Sequence, residues 1–394
     1  MTMRPCWVEI STERLEANFQ FLETLAAPHA ELLAIVKANA YGHDLALCAA
    51  AAVRAGARWL GVTSVEEGVA ARAICPDTHV LVIGGVFPGQ GVEVVRHRLT
   101  AVAWDPTQLI ELEQAAHAAG AKPNSVAVHL EIDTGMSRQG VNAEGLGLAL
   151  AHFCPGSPLK LEGVMTHLFA ADEADGRVTE AQLARLDKVV GEIGTAGLLP
   201  EWLNVGSSAA LVAGQAETIA DLASRHGMRA MMRPGFSLYG LVPTFEPDFN
   251  ADPSSLAAAK MQLQPVLSWK TRVVSLRTVR AGAVVGYNGT FVATESMRLA
   301  LIAVGYADGL DRHLGNRFSL LVRGQRAPLA GRISMDQAVL DVTGIPCVEI
   351  GDEVVILGSQ GEQTITSFDH AKATETIPWE VFTRIGPRVQ RVEV

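Results

Sequence analysis

Eight short apolar runs, each followed by an amphipathic stretch or a turn, occupy residues 30–241. The runs are Leu32–Val36, Trp59–Thr63, Val80–Ile83, Ala101–Trp104, Val126–Ile132, Leu161–His167, Trp202–Val205 and Arg229–Arg233. Short and continuously apolar, they read as strands buried on both faces. Helix signals fall between them. Asp44 precedes Leu45-Ala46-Leu47, Ser64-Val65-Glu66-Glu67 spells a capping box, and Asp105-Pro106 opens Thr107–Ala119, which Gly120 closes. Thr179–Ile193 repeats leucines and valines at helical spacing. Strict alternation of eight such units predicts an α/β fold, an N-terminal (β/α)8 TIM-like barrel over residues 11–245 rather than an open doubly wound sheet. The pattern is thinnest in the last unit, Met228–Leu241, which holds Pro234 and two glycines.

The texture changes near residue 245. Pro243–Pro253 is rich in Pro, Asp and Asn and reads as a linker. Beyond it helical patterns nearly vanish. Val266–Val274, Met297–Val304, Phe318–Val322, Gln337–Val342 and Asp352–Leu357 read as strands separated by Gly-rich turns, so residues 246–394 form a mainly β C-terminal domain. Cys6–Ile10 is one further strand, and residues 1–10 are expected to join that domain.

Charge and cysteine usage narrow the function classes. Lys and Arg total 32 against 42 Asp and Glu, a formal charge of −10 with no basic block. Binding to nucleic acid or to an anionic membrane is therefore not expected. Cys6, Cys48, Cys75, Cys154 and Cys347 are scattered, without a Cys-x-x-Cys pair, so neither a disulfide framework nor a zinc cluster is indicated and no metal is expected. Met1–Ile10 has no apolar leader core, and Leu45–Val53 is too short to span a bilayer. A cytoplasmic location is expected.

The first apolar run stops at Lys37, in Leu32-Leu33-Ala34-Ile35-Val36-Lys37-Ala38-Asn39-Ala40-Tyr41-Gly42-His43. A lysine at a strand end stands where loops build active sites. Its ammonium must be paired or neutralised by burial, and a neutral amine is a nucleophile that can form a Schiff base. A bare strand-then-lysine is more often a side chain reaching water. Here Ala38, Asn39, Ala40 and Gly42 leave room for a bulky planar ligand, and Tyr41 offers a hydroxyl. Strand seven runs into Gly206-Ser207-Ser208, which opens a helix, and Gly235 follows strand eight. Barrel enzymes often bind phosphate at this place. Arg233, His167 and Arg138 lie at or beyond other strand ends.

Val36-Lys37-Ala38-Asn39-Ala40-Tyr41-Gly42-His43 closely resembles the pyridoxal-phosphate lysine signature of alanine racemases. Asp133-Thr134-Gly135-Met136-Ser137-Arg138 resembles that family's Asp-Thr-Gly-Met-x-Arg motif, and Val285-Gly286-Tyr287, Gly305-Tyr306-Ala307-Asp308 and Ser334-Met335-Asp336 match in order across the C-terminal region. The resemblance implies a homodimer that racemises alanine on pyridoxal 5'-phosphate. Lys37 would hold the cofactor and take the D-alanine proton, while Tyr287 takes the L-alanine proton from the opposite face. An ordinary phenol keeps its proton to about pH 10, so a tyrosine base needs cationic neighbours. The remaining implied cofactor contacts are Tyr41, His167, Ser207, Ser208, Arg233, Gly235, Tyr306 and Arg138. Arg138 and Met335 would meet substrate, and Tyr287, Tyr306 and Met335 would reach the other subunit's cofactor. Arg233 would face the pyridine nitrogen; a guanidinium only donates, so that nitrogen would stay unprotonated. Glu131, Asp336 and Arg312 are supporting residues. Glu131 departs from the pattern: many members carry a lysine there that is carbamylated into an anion facing the arginine. Glu131 supplies an anion directly, and no modification is expected.

Two cofactor-dependent rivals, and a third without cofactor, stand beside this reading. One is a racemase or decarboxylase of the same cofactor and fold acting on other amino acids, which pocket size would distinguish. The other is a non-catalytic pyridoxal-phosphate carrier built on the barrel, which lacks the β domain and Tyr287. A cofactor-free Schiff-base aldolase would be colourless.

Overall fold

The structure is a computed structural model that describes residues 4–173, 176–245 and 253–394. The chain forms two compact units. One is Glu13–Ala40 with Leu45–Gln264; the other combines the residues up to Thr12 with Tyr41–Asp44 and Pro265–Val394.

The first unit is a closed barrel of eight parallel strands: Ala30–Ile35, Trp59–Val62, His79–Val82, Thr100–Ala103, Val126–Glu131, Leu159–Met165, Trp202–Ser207 and Arg229–Arg233. The eighth strand pairs back onto the first, Ala230 opposite Ala30 and Met232 opposite Leu32, which closes the ring. Leu33, Ala34, Leu60, Leu81, Leu130 and Met231 are fully buried, as two-sided burial of a parallel barrel requires. The thin last unit forms its strand over Arg229–Arg233, and Pro234 ends it. The Asp105 capping box is complete, and the helix expected over Thr179–Ile193 runs Gly176–Thr195. The box at Ser64 is only half made. Its hydroxyl accepts from Glu67 N at 3.3 Å, but the Glu67 carboxylate accepts from Thr63 N at 2.9 Å instead. Most of the expected linker, residues 246–252, lies outside the described residues; the helix Pro253–Gln262 follows it.

In the second unit, Cys6–Ile10 lies between Leu267–Val279, antiparallel with Val8 opposite Trp269, and Gln390–Glu393, parallel. The N-terminal strand thus belongs to the C-terminal sheet. The sheet has nine strands, and a separate hairpin, Val284–Val285 with Phe291–Val292, flanks it. Helices did not vanish here. Ser367–Thr374 starts at a complete capping box on Thr366, and Pro378–Thr383 starts with proline at its first position. Both carry their signals in the sequence; they were obscured by being short. Among the described residues no helix is long and apolar enough to cross a membrane.

Candidate active site

Every barrel residue singled out in the sequence lies at or just past the carboxyl end of its strand. Glu131, Ser207 and Arg233 are last residues of strands; Lys37, Arg138, His167, Ser208 and Gly235 follow in the loops.

Arg233 anchors the group. It is 7% exposed and fully bonded on one side. Nη1 donates to Asn204 O at 2.7 Å and Oδ1 at 2.5 Å; Nη2 donates to Thr166 O at 2.8 Å and lies 3.2 Å from His167 Nδ1. Because a guanidinium only donates, His167 Nδ1 accepts and the ring proton sits on Nε2. Burial, then the charges of Arg233, Arg138 and Lys37, push His167 down to about 3, so it is a neutral imidazole.

Lys37 is half-buried, two residues beyond its strand. Burial, then Arg138 and Arg233, lower its pKa, which favours the neutral amine; Glu67 opposes them. The turn behind it is unusual. Ala38, Asn39, Ala40 and Tyr41 all have φ between +51° and +55°, a left-handed turn built without glycine. Small residues and asparagine tolerate that conformation best, so the small residues here shape the backbone as well as leaving space. Burial pushes the Tyr41 phenol up to about 12, so it stays protonated.

Arg138 sits on an exposed loop shaped by Asp133, whose Oδ1 accepts from Gly135 N at 2.9 Å and Ser137 N at 3.0 Å. Glu131 is 2% exposed, and burial raises its pKa. Its carboxylate accepts from Gln139 Nε2 at 2.6 Å. Arg138 and Arg233 act on it as favourable charges at longer range, without an ion pair to either.

The expected phosphate cradle is wired internally. Ser208 Oγ accepts from Gly235 N and Ser237 N, both at 3.1 Å, tying the seventh loop to the eighth. The Gly235 N–H is thus spent on Ser208 in this arrangement, while Ser208 keeps a hydroxyl proton to donate. Ser237 Oγ is buried with no partner, and Ser207 caps its helix without a side-chain bond.

In the second unit, Tyr287, Tyr306 and Met335 are exposed to 66%, 43% and 53%. Their loops press together through glycines. A Cβ on Gly305 would stand 2.3 Å from Ser334 O, and one on Gly331 2.8 Å from Val285 O. Tyr306 N donates to Ser334 O at 3.1 Å and Ala307 N to Met335 O at 3.0 Å. Beneath them Asp308, 1% exposed, accepts from Gly305 N at 2.8 Å and from Arg4 and Arg388, each at 2.7 Å. Arg388 also donates to Asp336. Arg312 is exposed on a short turn capped by Asp311.

Sequence reasoning missed Asn204, Gln182 and Glu67. Gln182, fully buried, donates to Thr134 Oγ1 at 2.9 Å and His167 O at 3.0 Å, locking the fifth and sixth loops. Its place among the buried positions of an amphipathic helix was the available signal: a glutamine inside must be bonded.

An amine tilted toward its neutral form, two arginines acting on it and one orphaned serine hydroxyl beside the seventh and eighth loops fit a ligand with a carbonyl and a phosphate. The orphaned Ser237 hydroxyl in particular lacks an acceptor that an oxyanion supplies. The closed barrel and the charged groups at the carboxyl ends of its strands together define a barrel enzyme. The family models described as alanine racemase N-terminal domain and C-terminal domain match residues 10–243 and 266–393. An alanine racemase of Nostoc sp. is 35% identical over 98% of this chain and 95% of its own length. The crystal structure of the Streptomyces lavendulae alanine racemase superposes with a TM-score of 0.86 at 31% identity, covering 100% of this chain and 98% of that one. That of Bartonella henselae, with covalently bound pyridoxal phosphate, does so with a TM-score of 0.80 at 25% identity, covering 99% of both. The chain belongs to the alanine racemase family.

Proposed function

We propose that this protein interconverts L- and D-alanine with pyridoxal 5'-phosphate and two bases, Lys37 and Tyr287, as a cytoplasmic homodimer that supplies D-alanine for peptidoglycan. The observation that carries the reading is the half-buried Lys37 amine, tilted toward neutrality at the carboxyl end of the first strand. Its relatives' names and the covalent cofactor in the Bartonella henselae structure support it. When bound, pyridoxal phosphate supplies a carbonyl for Schiff-base formation and a conjugated ring that acidifies the substrate Cα–H.

The chain's own groups do the rest. Lys37 Nζ would anchor the cofactor and would hold or return the proton on the D face. Tyr287 Oη does so on the L face. Arg233, held by Asn204 and Thr166, presents only donors, so a ring nitrogen bound against it would be kept unprotonated. Neutral His167 is tied to Arg233 and adds no charge there. Ser207 and Ser208 hydroxyls would donate to the phosphate, with Gly235 holding Ser208 in place. Tyr41 contributes a protonated phenol. Arg138 binds the substrate carboxylate, and Glu131 with Gln139 offsets its charge without modification. Tyr306 and Met335, carried by the loops that Asp308, Asp336 and Arg388 brace, would close the site from the partner subunit and exclude water and larger side chains, with Arg312 a supporting residue.

The test is direct. The purified protein should be coloured by its cofactor and should interconvert the two alanines. Borohydride reduction and peptide mapping should place the cofactor on Lys37. Label on a different lysine refutes the central assignment.

A further inference from the structure

The left-handed turn behind Lys37 needs an external restraint, since an L residue costs about 1–2 kcal/mol in that conformation. Asn39 provides the handle. Its N–H donates to Glu67 Oε1 at 3.1 Å, and its side-chain Oδ1 accepts from Leu45 N at 2.8 Å, at the start of the helix Leu45–Arg54. The second oxygen of Glu67 accepts from Thr63 N at 2.9 Å, just past the second strand. One carboxylate therefore ties the end of the second strand to the turn of the first. That is why the Ser64 capping box stays half made: Glu67 spends its oxygens on Thr63 and Asn39 rather than on the cap.

Glu67 is also an anion beside a cationic rim. The charged or titratable groups acting on Lys37 or on its neighbour His167 come from four other elements: Arg138 from the fifth loop, His167 from the sixth, Arg233 from the eighth strand and Glu67 from the first turn of the helix Val65–Ile74 that follows the second strand. His167 is neutral, and both arginines disfavour a second positive charge. Among the groups acting on Lys37, Glu67 alone favours it.

We propose that Glu67 is a positioning residue for Lys37: through the Asn39 N–H it holds the left-handed turn that presents the amine, and it supplies the local negative charge that balances the two arginines. The proposal rests on Lys37 being the cofactor lysine.

The test compares Glu67→Gln with Glu67→Asp in the full-length protein. Before cofactor loading, the Lys37 amine is titrated by competitive acetylation with mass-spectrometric readout of its peptide. Loss of the charge in Glu67→Gln should move the titration down by about 0.5–1 pH unit, the size of one partly screened charge. After loading, its kcat should fall roughly 10-fold with KM changed less than about twofold, as expected for a misplaced catalytic base. Glu67→Asp should restore the titration and part of the rate. A merely structural role would lower the folded fraction without moving the titration. Unchanged titration and unchanged kcat in Glu67→Gln overturn the proposal. Should Glu67→Gln fail to fold, Glu67→Asp decides: a wild-type titration with kcat reduced per folded molecule supports it, and wild-type behaviour in both, or a loss of rate that only follows the folded fraction, overturns it. Borohydride labelling of the wild type separates the two claims, because a label away from Lys37 sinks the cofactor assignment whatever Glu67 does.

Discussion

The two units hold their candidate residues in opposite ways. In the barrel, Arg233 and Glu131 are buried, Arg233 bonded to the neighbouring strand and the sixth loop and Glu131 to Gln139 in its own loop, and His167 is tied to Arg233. In the C-terminal unit, Tyr287, Tyr306 and Met335 stand exposed on loops whose backbones approach closely and, for the last two, are hydrogen-bonded to each other. A preorganised half needs no partner to exist, whereas exposed aromatic and Met side chains on fixed loops suit a surface completed by another molecule. The barrel half should thus fix cofactor and charge, and the exposed half should fix stereochemistry and access.

The largest effect expected from this division is at Lys37. Lys37→Ala should cost activity in both directions by about 10⁴-fold, since anchor and base go together. Steady-state rates on each enantiomer measure it, and substantial residual turnover would put the chemistry elsewhere. Tyr287→Phe should cost about 100-fold or more, but unequally. Solvent-deuterium exchange should be suppressed far more for L-alanine than for D-alanine, because Lys37 still faces the D proton. Equal losses would contradict the assignment of faces.

Mixing these variants asks which subunit supplies the exposed half. If Lys37 and Tyr287 of one site come from different chains, a mixed dimer of Lys37→Ala and Tyr287→Phe has one site with both changes and one with neither. Random pairing makes about half the dimers mixed, so co-refolding should recover roughly a quarter of wild-type activity. Sites built within single chains would recover none.

The same contrast explains how much was legible. The eight strands were visible because two-sided burial writes continuous apolar runs, and the barrel then placed Lys37, His167, Ser207 and Arg233 on one rim. The left-handed turn was not legible: Ala38-Asn39-Ala40-Tyr41 carries no glycine, and local propensity reads it as ordinary helix. Nor was the way Glu67 and Gly235 spend their polar groups, because Glu67 reaches 28 residues back to Asn39 and Gly235 27 residues back to Ser208. The motif residues of the C-terminal unit were recognised by resemblance, but Asp308, which braces them, gave no signal apart from its place in the Tyr306 motif.

Asp308 offers a smaller effect. Asp308→Asn keeps the shape and removes the charge shared by Arg4 and Arg388, whose side chains are 33% and 41% exposed. Solvent at those arginines limits the loss to about 1–3 kcal/mol. The denaturant midpoint should fall and activity should fall with it, because the Tyr306 and Met335 loops lose their brace. A lowered midpoint with full activity would separate the brace from the site.

The smallest effect concerns acid. His370, 3% exposed, places Nε2 2.9 Å from Ile356 O, where it donates, and packs its ring 4.7 Å from Phe318. Burial pushes it down to about 4; the Ile356 bond and the charges of Asp369 and Asp311 oppose this without cancelling it. An unfolded histidine titrates near 6.5. Between those values the unfolded chain binds the extra proton, so stability is fully present above pH 6.5 and drains as pH falls toward about 4. The slope is at most about 1.4 kcal/mol per pH unit for one proton. In the barrel, His167 should behave alike down to about 3, but it lies against Arg233 among the charges of the candidate site, so His370 gives the cleaner measurement. His370→Gln keeps a donor for Ile356 O and does not titrate. Its denaturant midpoint, followed from pH 7 to 4.5, should fall less steeply than that of the wild type by up to that slope. Coincident curves would mean that His370 contributes nothing to acid sensitivity, and that any sensitivity observed belongs to the buried charges of the barrel.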